Sequence, residues 1–74
     1  GSARIQYAVP RASKVTIEAF DVLGRSVASL ASGRHPAGRY EVRFSGGTGA
    51  HAGIFFIRMS AAGRAFTQRV VLLQ

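Results

Sequence analysis

The sequence predicts an all-β fold, an antiparallel sandwich of about six to seven short strands. Three observations carry that reading. Several stretches alternate polar and apolar residues with period two, the mark of a half-buried strand. Glycine, proline, Asp and Ser punctuate the chain at intervals of roughly ten residues, where turns between short strands belong. No stretch shows the 3.6-residue periodicity of an amphipathic helix. The short connections favour antiparallel neighbours, since parallel pairs need long crossovers.

In chain order, Ile5, Tyr7 and Val9 alternate with Gln6 and Ala8 in a first strand that Pro10 ends by removing a ladder donor. Arg11-Ala12-Ser13 bridges to Lys14–Phe20, with Val15, Ile17 and Ala19 on one face and Thr16, Glu18 and Phe20 on the other. Phe20-Asp21-Val22-Leu23-Gly24-Arg25 then reads as a tight corner around which the chain is organised. The Asp carboxylate can accept from nearby backbone N–H groups, and Gly can adopt positive φ without steric cost. Ser26–Leu30 forms a third extended run, and Ala31–Gly38, with two glycines and a proline, reads as an irregular connection. Arg39–Phe44 alternates most clearly: Tyr40, Val42 and Phe44 face one way, Arg39, Glu41 and Arg43 the other. Ser45–Gly53 is a glycine-rich loop that lacks the Lys-Ser/Thr ending of a phosphate-cradling loop and opens onto a strand. Ile54–Met59 is apolar on nearly both faces, as a central strand should be, and Ser60–Arg64 turns the chain into a last strand, Ala65–Leu73. Its final four residues, Val70–Leu73, do not alternate, which predicts burial on both faces or contact with another protein.

Seventy-four residues make one small domain, expected over 3–74, with Gly1-Ser2 resembling a cloning scar. The chain has no cysteine, which removes a disulfide framework, a cysteine-based zinc site and a cysteine nucleophile. No apolar run reaches the roughly 18 residues of a membrane span, and no apolar stretch follows a basic start as in a signal peptide. The net charge of +7 invites a nucleic-acid or anionic-surface reading. Yet Arg4, Arg11, Arg25, Arg34, Arg39, Arg43, Arg58, Arg64 and Arg69 are spread along the chain without a cluster or basic helix, so the expectation is a solvated surface and no specific nucleic acid.

Groups that could converge for chemistry are few. Glu18 and Glu41 stand on strand faces and Asp21 in a turn, so no acid pair is suggested. His35 and His51 are isolated in connections, far from the three or four donors a zinc site uses, and no Ser lies in a nucleophile elbow. The sequence therefore predicts a protein that is not an enzyme and has no catalytic residue, cofactor or metal.

The punctuation follows a recognisable order. Tyr7-Ala8-Val9-Pro10 and Val15-Thr16-Ile17 come first, then Phe20-Asp21-Val22-Leu23-Gly24-Arg25 and Pro36-Ala37-Gly38-Arg39-Tyr40. Ala52-Gly53-Ile54-Phe55-Phe56-Ile57-Arg58-Met59 and Thr67-Gln68-Arg69-Val70-Val71-Leu72-Leu73 complete it. This resembles the C-terminal sorting domain (type A) of proteins exported by the type IX secretion system, over nearly the whole chain from Ile5. The resemblance implies an immunoglobulin-like sandwich that directs an upstream cargo domain to the outer-membrane translocon of a Gram-negative bacterium. A sortase-like peptidase then usually removes it as the cargo is attached to the cell surface or released. By the same resemblance the family's turn positions fall on Asp21, Gly24, Gly38 and Gly53, and its terminal motif on Arg69, Val70, Val71 and Leu72.

Two departures stand out: Ala52 replaces a common Ser, and the Asn-Pro-rich segment usual ahead of the position of Arg4 is missing. The second predicts a truncated chain whose sandwich has an exposed edge. The immunoglobulin-like domain of flagellar hook-capping proteins shares the Asp-x-x-Gly-Arg corner, although ending at Leu72-Leu73-Gln74 favours the sorting domain. A carbohydrate-binding accessory module is a third reading, but it would display exposed aromatics on a flat face, whereas Tyr7, Tyr40, Phe44, Phe55 and Phe56 mostly hold core-parity positions. The expected core includes Ile5, Tyr7, Val15, Ile17, Leu30, Tyr40, Val42, Phe56 and Val70. Weak homodimerisation is expected, if at all, through the first or last strand, and recognition through the terminal one.

Overall fold

The computed structural model describes residues 2–46 and 52–73. Six strands follow one another, β1 (Ala3–Val9), β2 (Ser13–Phe20), β3 (Ser26–His35), β4 (Gly38–Phe44), β5 (Gly53–Ala61) and β6 (Arg64–Leu72), with no helix among the described residues. All pairings are antiparallel. β1 and β4 form a two-stranded sheet, and the other four form a second sheet in the order β3-β2-β5-β6. An immunoglobulin arrangement with the edge strands A and D left out has this connectivity: β1 and β4 take the places of B and E, and β6-β5-β2-β3 those of G, F, C and C′.

The two sheets enclose Val9, Val15, Ile17, Ala19, Phe44, Phe55, Ile57 and Leu72. Val15, Ile17 and Ala19 are the alternate residues of β2, fully removed from solvent because that strand is flanked on both sides and covered by the other sheet. Phe44 of the small sheet meets Phe55 of the large one edge to face, with ring centroids 5.0 Å apart, a favoured aromatic geometry that ties the layers together. Ile5, Tyr7, Leu30, Tyr40 and Val70 pack around this centre as half-buried residues, and Val42 is likewise half-buried.

The expectation for Phe56 requires correction. Phe55 and Ile57 are buried, whereas Phe56 lies opposite Phe20 and Arg69 on the outer face and is half-buried. A continuous apolar run carries no parity signal, so only the register with β2 decides which alternate residues turn inward. The connection expected to be irregular over 31–38 is also largely strand. β3 continues through His35, pairing Ala31 with Ile17, Gly33 with Val15 and His35 with Ser13, and only Pro36-Ala37 separates it from β4. Pairing with β2 recruits this Ser-, Gly- and Arg-containing stretch, which lacks an apolar pattern of its own. Two register shifts interrupt the β2–β3 ladder, leaving Leu30 and Val27 as the extra residues of bulges. The glycine-rich loop falls mostly on residues 47–51, His51 among them, which lie outside the described residues, as do Gly1 and Gln74.

Candidate functional site

The terminal strand is anchored on one face and open on the other. β6 pairs with β5 without a register shift from Gly53↔Leu72 to Ala61↔Arg64. Directly opposed residues point to the same side of a sheet, so Leu72 and Val70 share the inner face with Phe55, while Val71 and Arg69 share the outer face with Ile54 and Phe56. Leu72 is 2% exposed, Val71 54% and Ile54 44%. The missing alternation in Val70–Leu73 thus resolves into a core anchor at Leu72, a half-buried Val70, and apolar groups at Val71 and Leu73 turned to solvent.

Phe20, on the next strand but one, lies opposite Phe56, so an apolar row crosses the outer face toward the corner, where Val22 and Leu23 are exposed. Arg69 and Arg58 stand in the same outer rows. Because β6 is outermost in its sheet, its far side has no strand partner among the described residues. The arrangement offers unpaired backbone groups beside a basic, apolar surface.

The corner holds one side of this surface. Asp21 Oδ1 accepts from the N–H groups of Leu23, at 2.9 Å, and Arg25, at 3.0 Å, while its Oδ2 accepts from Arg25 Nε at 2.9 Å. The Gly24 N–H donates to the Asp21 carbonyl and the Asp21 N–H to the Arg25 carbonyl, both at 3.0 Å. Gly24 has φ +81°, the left-handed residue that completes a three-residue hairpin connection. The backbone N–H of Arg25 above all, with its guanidinium and the Leu23 N–H, holds the Asp21 carboxyl below its usual value. Gly38 and Gly53 are the first residues of β4 and β5. Asp21, Gly24, Gly38 and Gly53 do not converge on one site: the first two build the corner between β2 and β3, Gly38 opens β4, and Gly53 pairs with Leu72 of β6.

Sequence reasoning missed a second cluster. His35, at the end of β3, lies against both Tyr7 and Tyr40, whose rings stack on each other with centroids 5.4 Å apart. Its Nδ1 lies 3.2 Å from the Gly33 carbonyl, which can only accept, so Nδ1 carries a proton, and Nε2 shares a 3.0 Å hydrogen bond with the Tyr7 hydroxyl. The Tyr40 hydroxyl donates to the Pro36 carbonyl. Burial, and then the neighbouring Tyr40, raise the Tyr7 pKa. No local motif announces this cluster, because it forms only once β3 extends to residue 35. It clamps the small sheet to the end of β3.

Among the described residues no group of three or more His, Asp or Glu side chains could hold a metal ion, and no polar side chain is buried. No protein-family model, curated protein or solved structure matches the chain.

Proposed function

We propose that this domain is a C-terminal sorting signal of the type IX secretion system, read by the export machinery through its terminal strand. The observation that carries the reading is the division of labour along β6: Leu72 anchors the strand in the core, while Arg69 and Val71 face solvent beside a free edge. Such an edge can be recognised by strand addition, with backbone hydrogen bonds giving affinity and side-chain pockets giving selectivity. The order of the corner, the Pro-Ala-Gly-Arg-Tyr stretch and the basic-then-apolar terminal motif supports the same reading.

In this role the domain follows a cargo domain, crosses the periplasm with it, engages the outer-membrane translocon, and is removed by a sortase-like peptidase on surface attachment or release. The domain itself contributes no catalytic group and no cofactor. The test is a periplasmically targeted reporter fused ahead of residues 3–74, expressed in a bacterium with a type IX system. Surface display or release is expected in the parent strain and periplasmic retention in a translocon-deficient strain. Equal retention in both strains, with the domain folded, would reject the proposal.

A further inference from the structure

The outer face of the large sheet changes character along its length. Toward the β2–β3 corner it is apolar, with Val22, Leu23, Ile54 and Val71 exposed there. Toward the β5–β6 turn it is basic and carries hydroxyls. Lys14 and Thr16 alternate with the buried Val15 and so face outward. Lys14 stands directly opposite Arg34, and Thr16 opposite Ser32 on one side and Ser60 on the other. Lys14, Thr16 and Ser60 border a shallow hollow of about 440 Å³, whose other wall is the turn, with Gly63, Arg64 and Ala65. Small-molecule sites span roughly 300–1,000 Å³. No carboxylate lines the hollow. The chain's three acids are engaged elsewhere: Glu18 accepts from Ser26, Asp21 from Arg25 and Glu41 from Gln6. Lys14, Arg34 and Arg64 have no ion-pair partner among the described residues. Like charges directly opposite on neighbouring strands destabilise a sheet, so the Lys14–Arg34 pair is a cost that a bound anion would offset.

We propose that this hollow binds the phosphate monoester of a small polyhydroxylated molecule, a sugar or cyclitol phosphate. Lys14 and Arg64 supply positive charge, and the Thr16 and Ser60 hydroxyls supply neutral donors. A phosphate dianion presents three terminal oxygens to such a set, more than a carboxylate can. The small side chains at the turn leave room for the carrier. The Ala62 and Gly63 N–H groups, which make no backbone hydrogen bond among the described residues, are further donors for its hydroxyls. No large apolar side chain lines the hollow, which favours a soluble carrier over a lipid. The site also stands clear of the strand ends that adjoining chain would extend: β1 begins and β6 ends at the opposite end of the sandwich, beside Phe44 and Gly53. It does not depend on the export reading.

The test is an NMR titration of the folded domain at about pH 7.5, where a phosphate monoester is mostly a dianion. Inositol monophosphate should shift the amides of Lys14–Thr16 and Ser60–Ala65 saturably in the millimolar range, and free inositol should not. Inorganic phosphate should shift the same amides, and acetate should bind roughly fivefold or more weakly. Lys14→Gln should weaken binding roughly tenfold, the effect of losing one charge-assisted hydrogen bond. Thr16→Val removes a hydroxyl without altering charge or branching, and should weaken binding about threefold or more. Arg4→Gln, on the small sheet, lowers the net charge as Lys14→Gln does and should leave binding unaltered. Thermal melts would show that the variants remain folded; if Thr16→Val does not fold, Ser60→Ala serves the same purpose. Phosphatidylcholine vesicles containing phosphatidic acid distinguish a lipid source, and little capture is expected. No saturable shift with inositol monophosphate, equal affinity for acetate, or equal losses in Lys14→Gln and Arg4→Gln would each overturn the proposal. So would unchanged binding in Thr16→Val, or vesicle capture without a response to the soluble monophosphate.

Discussion

The two edges of the four-stranded sheet are built differently. β3 carries two bulges, a glycine at position 33 and exposed serines at 26, 29 and 32, features that twist and blunt an edge against pairing. β6 runs in unbroken register along β5, contains neither proline nor glycine, and bears Phe66, Val71 and, just beyond it, Leu73 in solvent. A regular edge without a bulge, proline or glycine can template pairing with another strand, although Arg64 and Arg69 also place charge on this one. One edge is protected by its own irregularity. The other is regular and open, and it is the edge that the proposed export reading places against the machinery.

The largest test of this contrast lies within β6 itself. Leu72→Ala should cost about 2–5 kcal/mol, the range for truncating a buried leucine, whereas Val71→Ala should stay within about 0.5 kcal/mol, as exposed positions do. Thermal melts would read the difference, since 1 kcal/mol moves the midpoint by about 4–8 °C in a domain of this size. A similar loss at both positions would show that the outer face is as structural as the inner one.

Next come the hairpins that set each edge. Gly24→Val should cost about 1–3 kcal/mol through backbone strain, because a Cβ there would meet nothing within 4 Å and only the positive φ opposes it. Amide exchange should quicken most in β3 and its corner, and an unchanged melt would show that the corner does not organise the chain. The β5–β6 turn places Ala62 at φ 51° and Gly63 at φ 76°, the pattern of a type I′ turn with alanine where Asn fits best. Ala62→Asn should therefore stabilise the protein by about 0.5–1 kcal/mol by relieving left-handed strain, and slow exchange in β5 and β6 while leaving β3 unchanged.

How much of this was legible in the sequence depended on pattern strength. Val15-x-Ile17-x-Ala19 alternates among polar neighbours, so its face could be read directly, and β4 yields to the same reasoning through Tyr40, Val42 and Phe44. Ile54–Ile57 and Val70–Leu73 are apolar throughout, and only strand pairing decides that Phe55, Ile57 and Leu72 point inward while Phe56 and Val71 do not. Residues 31–35 hold no apolar periodicity, so their strand and the His35 cluster arise from tertiary pairing alone. The corner was readable because Asp and Gly each have a local backbone role.

The smallest expected effect is in acid. Asp21 titrates below its ordinary 3.8 in the folded protein, so its contribution is present above that value and is lost as pH falls through the lower folded one. Between neutral pH and about 4 the β2–β3 hairpin should be unaffected; below that, its exchange should quicken ahead of β5–β6, and Asp21→Asn should remove this pH dependence. An equal response in both hairpins would remove Asp21 as its cause.

The most direct measurement compares the two edges in export. A reporter fused ahead of the domain would carry Val71→Glu on β6 or Ser32→Glu on β3, both at exposed positions, with folding of each domain checked by its melt. The expected result is periplasmic retention of the Val71→Glu fusion and normal surface display or release of the Ser32→Glu fusion. Equal export of both folded fusions, in a strain where the unaltered fusion requires the translocon, would contradict the claim that β6 is the strand that is read.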